Sequence, residues 1–168
     1  MLRTLLATDG RGAPALARVA IALLLFPHGA QHALGWFGGY GFAGTHQWMV
    51  GLGFPSALAA LAIVTELVAP LALLVGLAGR PAALGLAGLM LGAIKTHAAN
   101  GFFMNWFGAL PAGQEGFEYH LVMLALLGVV VIEGSGALSL DRWLAGRLAA
   151  RSLDTAADRD WRRARAAA

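Results

Sequence analysis

The chain has no cysteine, one lysine and little charge of either sign, and each shortage closes off a class of function. Without cysteine there is no disulfide, no thiolate ligand for a metal and no sulfur carried as a persulfide. Any redox role must therefore rest on a bound cofactor. Charged residues fill only 12% of 168 positions against 58% hydrophobic, and mean hydropathy is +0.67. That leaves too little polar surface to solvate a soluble globule of this length, so the composition reads as an integral membrane protein. The pI near 10.2 does not indicate nucleic acid, because the basic residues are spread over three flanks and not gathered on one folded face. Anionic lipid headgroups are the expected partner.

Four apolar runs are present, over residues 15–35, 54–78, 81–101 and 117–138. Each has about the twenty residues that a helix needs to cross roughly 30 Å of hydrocarbon. The expected fold class is an all-α membrane protein: a four-transmembrane-helix bundle with two structured aromatic, Gly-rich outer loops. Residues 1–14 form an N-terminal segment, 15–138 the transmembrane domain and 139–168 an Arg/Ala-rich tail. The arginines orient it. Arg3, Arg11 and Arg18 precede or open the first run, Arg80 lies between the second and third, and Arg142, Arg147, Arg151, Arg159, Arg162, Arg163 and Arg165 follow the fourth. Positive flanks stay cytoplasmic, so a multi-pass protein with both termini in the cytoplasm is expected. A secretory signal is the rival reading of the first run, but its loss would put the outer loops out of register with the arginines.

Pro27 and Pro70 each remove a helical amide and predict kinks in the first two spans. Gly85, Gly88 and Gly92 line one side of the third span, where the Gly88/Gly92 pair permits close backbone approach. In the tail, Trp143, Leu144, Leu148 and Leu153 recur at helical spacing, and Trp161 to Arg165 end it. An amphipathic interfacial helix is expected there.

Polar groups concentrate toward the outer half. His28 and His32 lie near the outer end of the first span, Glu66 near the middle of the second, Lys95 and His97 near the outer end of the third, and Glu118 and His120 at the start of the fourth. Ionisable groups are costly in lipid and normally face the interior or a watery cavity. Helical spacing puts His28 and His32 on one face and separates Lys95 from His97 and Glu118 from His120. His28, Glu66, His97 and one of Glu118 or His120 are expected inside, with Lys95 as a counter-ion to Glu66 or a snorkelling headgroup contact. The candidate polar cluster is thus His28, Glu66, His97, Glu118 and His120. His28, His32 and His97 are weak metal candidates; metal or haem is less favoured than histidines bonded to carbonyls.

Both outer loops are rich in aromatics and glycine. The first runs from Gly35 through Trp36, Phe37 and Tyr40, with Thr45 as the expected N-cap of a short helix through Met49. The second runs from Asn100 through Phe102, Phe103, Trp106 and Phe107 and returns through Gly116. Interfacial belts account for the aromatics, while the glycines suit tightly folded or re-entrant backbone. Trp-Phe-Gly occurs in both loops, with His28 and His97 a similar distance upstream. This hints at a duplicated hairpin, although shared interfacial composition also accounts for so short a match.

The stretches His28 to Gln31, Gly35 to Gly39, Thr45 to Pro55, Glu66, Asn100 to Trp106, Gly116 to His120 and Ser139 to Arg142 resemble the DoxX family of small four-helix bacterial and archaeal membrane proteins. One departure is that the family often carries lysine where His32 stands. The resemblance implies an inner-membrane location and, from some relatives, a role as a subunit or partner of quinone-linked oxidoreductases; it supplies no agreed catalytic residues. A quinone needs an apolar slot, a titratable donor at each carbonyl and a carboxylate to relay protons. Trp36, Phe37, Phe102, Phe103 and Trp106 are the expected slot, His28 and His97 the carbonyl partners, and Glu66 the relay. Other readings are a non-catalytic anchor or assembly partner of an oxidoreductase, docked through the aromatic loops, and a small-molecule or ion transporter, which with four spans would need a homo-oligomer.

Overall fold

The computed structural model describes residues 6–108, 110–111, 113–150 and 165. Five helices are bounded within them: α1 (Gly12–Leu34), α2 (Gly41–Gly51), α3 (Ser56–Val75), α4 (Gly79–His97) and α5 (Glu118–Glu133). Short 3-10 turns occupy Trp36–Gly38 and Ala98–Asn100, residues 140–150 are also helical, and no strand occurs among the described residues. Of the expected tail, Arg151, Leu153 and Trp161 lie outside the described residues, as does Arg3 at the other terminus.

Three helices are long and apolar enough to cross a membrane: Gly12–Leu34, Ser56–Val75 and Gly79–Asn100. The fourth differs from expectation. It has 16 residues and stops at Glu133 rather than continuing to Leu138, because Gly134 takes a φ of 82° and turns the chain. An α-helix of that length is about 24 Å long. Hydropathy missed this end because Ala137 and Leu138 prolong the apolar run beyond the turn. Neither proline ends its helix; α1 continues through Pro27 and α3 through Pro70.

The long helices close a ring in which α1 packs on α3, α3 on α4, α4 on α5 and α5 back on α1. Ile21 and Leu25 of α1, Leu73 of α3, Leu86 of α4, and Met123 and Leu127 of α5 fill one apolar core. Lipid is as apolar as this core, so burial alone does not hold such helices together; close packing and interhelical polar bonds do. Gly29 is a point of close packing, since a Cβ there would lie 2.2 Å from the Glu66 carbonyl oxygen. Of the expected glycine seam only Gly85 faces a neighbour, a Cβ there lying 3.1 Å from Thr65 Cγ2 of α3, whereas a Cβ on Gly88 or Gly92 meets nothing within 4 Å.

The polar bonds gather at the end where α1 begins. Arg18, only 3% exposed, donates to five carbonyls: Leu73 and Leu74 at the end of α3, and Ser135, Ala137 and Leu138 in the turn after α5. The carboxylate of Asp141, 1% exposed, accepts the amides of Ala78 (2.8 Å) and Gly79 (2.9 Å) at the start of α4 and the Ser135 hydroxyl (2.6 Å). One cation therefore satisfies carbonyls left open where helices end, and one anion satisfies amides left open where a helix begins. Arg80 adds bonds to Val131, Ile132 and Ala7, and Arg11 pairs with Asp9 and Glu133.

Candidate functional site

The opposite end of the bundle is built from two folded loops around a set of imidazoles and carboxylates. Antiparallel packing of α1 on α3 places the Glu66 backbone beside Gly29. A helical side chain leans toward its own N-terminus, and the N-terminus of α3 lies at the loop end. The Glu66 carboxylate therefore reaches up past Gly29 to His32, not down to His28. Its Oε2 lies 2.6 Å from His32 Nδ1, with both side chains partly buried. His28, expected in the interior, is exposed, and so is Lys95, expected as a counter-ion.

A second pair joins α4 to α5. The rings of His97 and His120 are 5.0 Å apart. His97 Nδ1 donates to the Glu115 carbonyl at 2.7 Å, which leaves Nε2 of a neutral ring as an acceptor. His120 is buried and its Nδ1 has no hydrogen-bond partner among the described residues; His28 and His97 both lie within electrostatic reach of it. Of the two alternatives at the start of α5, His120 is the inward one. Glu118 turns to the second loop, where Oε2 accepts the Met104 amide (3.2 Å) and the Trp106 indole N–H (3.3 Å).

That loop is folded tightly, as its glycines suggested. The amides of Gly116, Phe117 and Glu118 donate to the carbonyls of Phe103, Gly101 and Phe102, and Asn100 holds the Glu115 carbonyl at 3.1 Å. Phe102 packs edge-on against Phe103 (5.2 Å) and Phe117 (5.5 Å), beside a hollow of about 270 Å³ that Trp106 also lines. In the first loop Trp36 meets Phe26 and Phe37, each at 6.4 Å. No ring contact joins the Trp36 and Phe37 group to the Phe102, Phe103 and Trp106 group among the described residues. Thr45 is not an N-cap; α2 begins four residues earlier, and Thr45 is buried in its middle. His46, which the sequence gave no reason to single out, ties α2 to the start of α3 through Ser56, at 3.1 Å to both its carbonyl and hydroxyl. Among the described residues no three His, Asp or Glu side chains are grouped to hold a metal ion.

The DoxX family model matches residues 13–106, more than half of the chain, from α1 into the second loop. The chain belongs to the DoxX family. The match takes in His32, Glu66 and His97, while the other half of the imidazole pair, His120, lies beyond it, as does the buried Asp141. No curated protein and no solved structure matches this DoxX chain.

Proposed function

We propose that this DoxX protein is a multi-pass protein of a bacterial or archaeal inner membrane whose loop end serves a quinone-linked oxidoreductase, as a component or a partner. All four long helices cross in this reading, with both termini cytoplasmic. The crossing of α5 is supported by its ends being level with those of α4: His120 meets His97 at one end, and Arg80 bonds the Val131 carbonyl at the other. A helix of about 24 Å is accommodated by modest local thinning of the bilayer. Among the described residues, the orientation is supported by Arg11, Arg18, Arg80, Arg142 and Arg147 lying at or beside one end while Lys95 is the one lysine or arginine of the loop end.

The observation that carries the redox reading is the His32–Glu66 contact of 2.6 Å between two apolar helices, with an imidazole pair at the same end. Buried acid–base partners in a membrane mark ion or proton paths. The residues fit a quinone headgroup: His120 Nδ1 is buried with no partner among the described residues, the Tyr119 ring stands edge-on to His120 at 5.8 Å, and Phe102, Phe103 and Phe117 pack on one another in the loop that leads into α5. A bound quinone supplies two-electron, two-proton chemistry. The chain's part is to donate the N–H at His120 Nδ1 to a carbonyl, to cover the site with aromatic rings and to pass a proton between His32 Nδ1 and Glu66 Oε2.

Organic extraction and mass spectrometry of the protein purified in mild detergent tests this. About one quinone per chain is expected, lost in His97→Ala and His120→Ala; Glu66→Gln should keep the quinone and slow quinone-linked electron transfer by roughly a hundredfold. Phospholipid alone in the extract would overturn the quinone site. A non-catalytic anchor is the second reading, favoured by the exposure of Tyr40, Trp48 and Phe107 on the loops. It expects Trp36→Ala and Trp106→Ala to lose the partner enzyme on purification while Glu66→Gln does not.

A further inference from the structure

At the arginine end, the turn that follows α5 leaves an apolar side chain in an unusual position. Leu138 adopts a φ of 53°, a left-handed conformation that costs a non-glycine residue about 1 kcal/mol or more, and yet its side chain is 93% exposed. Packing against the described residues does not explain that strain. The backbone there is held from behind, because Arg18 donates to the Ala137 and Leu138 carbonyls and the Ala137 amide donates to the Arg11 carbonyl. Leu138 also borders an open hollow of about 490 Å³, with Arg142, Trp143 and Arg147 along its other sides.

Among the described residues, the charges that line this hollow are all of one sign, and no acidic side chain is one of them. Asp141, which lies between Leu138 and Arg142 in sequence, is turned into the protein and engaged by the amides of Ala78 and Gly79. The Arg147 guanidinium sits over the Trp143 ring at 4.8 Å, and that of Arg142 lies against Gly10. Two exposed guanidinium groups beside an exposed tryptophan and leucine match a ligand with an anionic phosphate above an apolar chain. Guanidinium pairs well with phosphate, and tryptophan belongs at the boundary between headgroup and acyl chain.

We propose that this hollow binds an anionic phospholipid, with Arg142 and Arg147 on the phosphate and Leu138 and Trp143 on the acyl chains. The inference does not depend on any quinone chemistry at the other end. Arg18 acts as a positioning residue, fixing the turn that presents Leu138.

The test uses the full chain in neutral detergent, with native mass spectrometry following binding of phosphatidylglycerol and of phosphatidylcholine carrying the same acyl chains. Phosphatidylglycerol should be preferred by at least tenfold. Each arginine near an anionic headgroup contributes enough that the R142Q/R147Q double variant should lose about thirtyfold in phosphatidylglycerol affinity, while K95Q, which removes the exposed cation of the other end, should lose none. Leu138→Ser should weaken binding of both lipids and leave the elution volume of the protein unchanged. Equal binding of the two lipids by the unaltered protein, or an equal loss in K95Q, would overturn the site. So would displacement of phosphatidylglycerol by inorganic phosphate at millimolar concentration, since that would make the ligand a free phosphate and not a lipid.

Discussion

Arg18 and Asp141 carry opposite charges into a region that excludes water, and each is used almost to its hydrogen-bonding capacity. Lysine cannot replace Arg18, because one ammonium has three donors on a point charge and lacks the planar fork that reaches five carbonyls from two chain segments. Arg18→Lys is expected to lower the apparent melting temperature in mild detergent by several degrees. Asp141→Ala strands the Ala78 and Gly79 amides and the Ser135 hydroxyl and leaves the Arg18 charge without its nearby anion. It should cost about 3 kcal/mol, a fall of roughly 10 °C for a chain of this size. An unchanged melting curve for Asp141→Ala would mean that the knot is not what joins the helix ends. The sequence made Arg18 legible as a positive flank and Asp141 as part of a family-like motif. It could not reveal that both engage Ser135, Arg18 at its carbonyl and Asp141 at its hydroxyl, because the 122 residues between them decide that. The same limit applies to His28 and His32. Spacing put both on one face, but choosing between them required the register of α1 on α3 and the lean of the Glu66 side chain.

Helix existence was legible because each apolar run is long and uninterrupted; helix ends and partners were not. Hydropathy has no means of marking the end of α5, since the turn beyond Glu133 contains no charge until Asp141. Glycine spacing likewise shows where backbones could approach and not where they do. Gly88 and Gly92 have the spacing, but α4 turns them outward, whereas the isolated Gly29 carries the contact with α3. This contrast gives a paired expectation. Gly29→Ala places a methyl group into the Glu66 carbonyl, which is backbone and cannot swing aside, so α1 and α3 must separate at a cost of about 1–3 kcal/mol. The displacement should also loosen the His32–Glu66 contact. Gly88→Ala meets no neighbour and should be neutral or stabilising by up to about 1 kcal/mol through helix propensity. Thermal unfolding of the two variants in one detergent distinguishes them, and equal melting temperatures would remove Gly29 from the account of packing.

For the whole molecule, two kinds of chemistry are held at opposite ends of one bundle: helix-terminus bonding through arginine at one, and an imidazole–carboxylate pair with an imidazole–imidazole pair under aromatic loops at the other. Whether those ends lie on opposite faces of a membrane depends on α5, the shortest of the long helices. The absence of cysteine makes the question directly measurable, because a single introduced thiol is the only one in the protein. Gln114 lies in the second loop and is exposed, and Gly146 is exposed in the helical stretch after the turn. With four crossings and cytoplasmic termini, a membrane-impermeant maleimide added to intact spheroplasts should label Gln114→Cys, and label Gly146→Cys only after the membrane is opened. Labelling of both from outside, or of neither, would mean that α5 returns without crossing, because it alone separates the two positions in the chain. Labelling of Gly146→Cys alone would retain the four crossings and invert the molecule, placing the His32–Glu66 pair toward the cytoplasm. The arginines argue against that inversion: it would require the charges at the Arg18 and Arg80 end, together with those of the tail, to be carried across the bilayer.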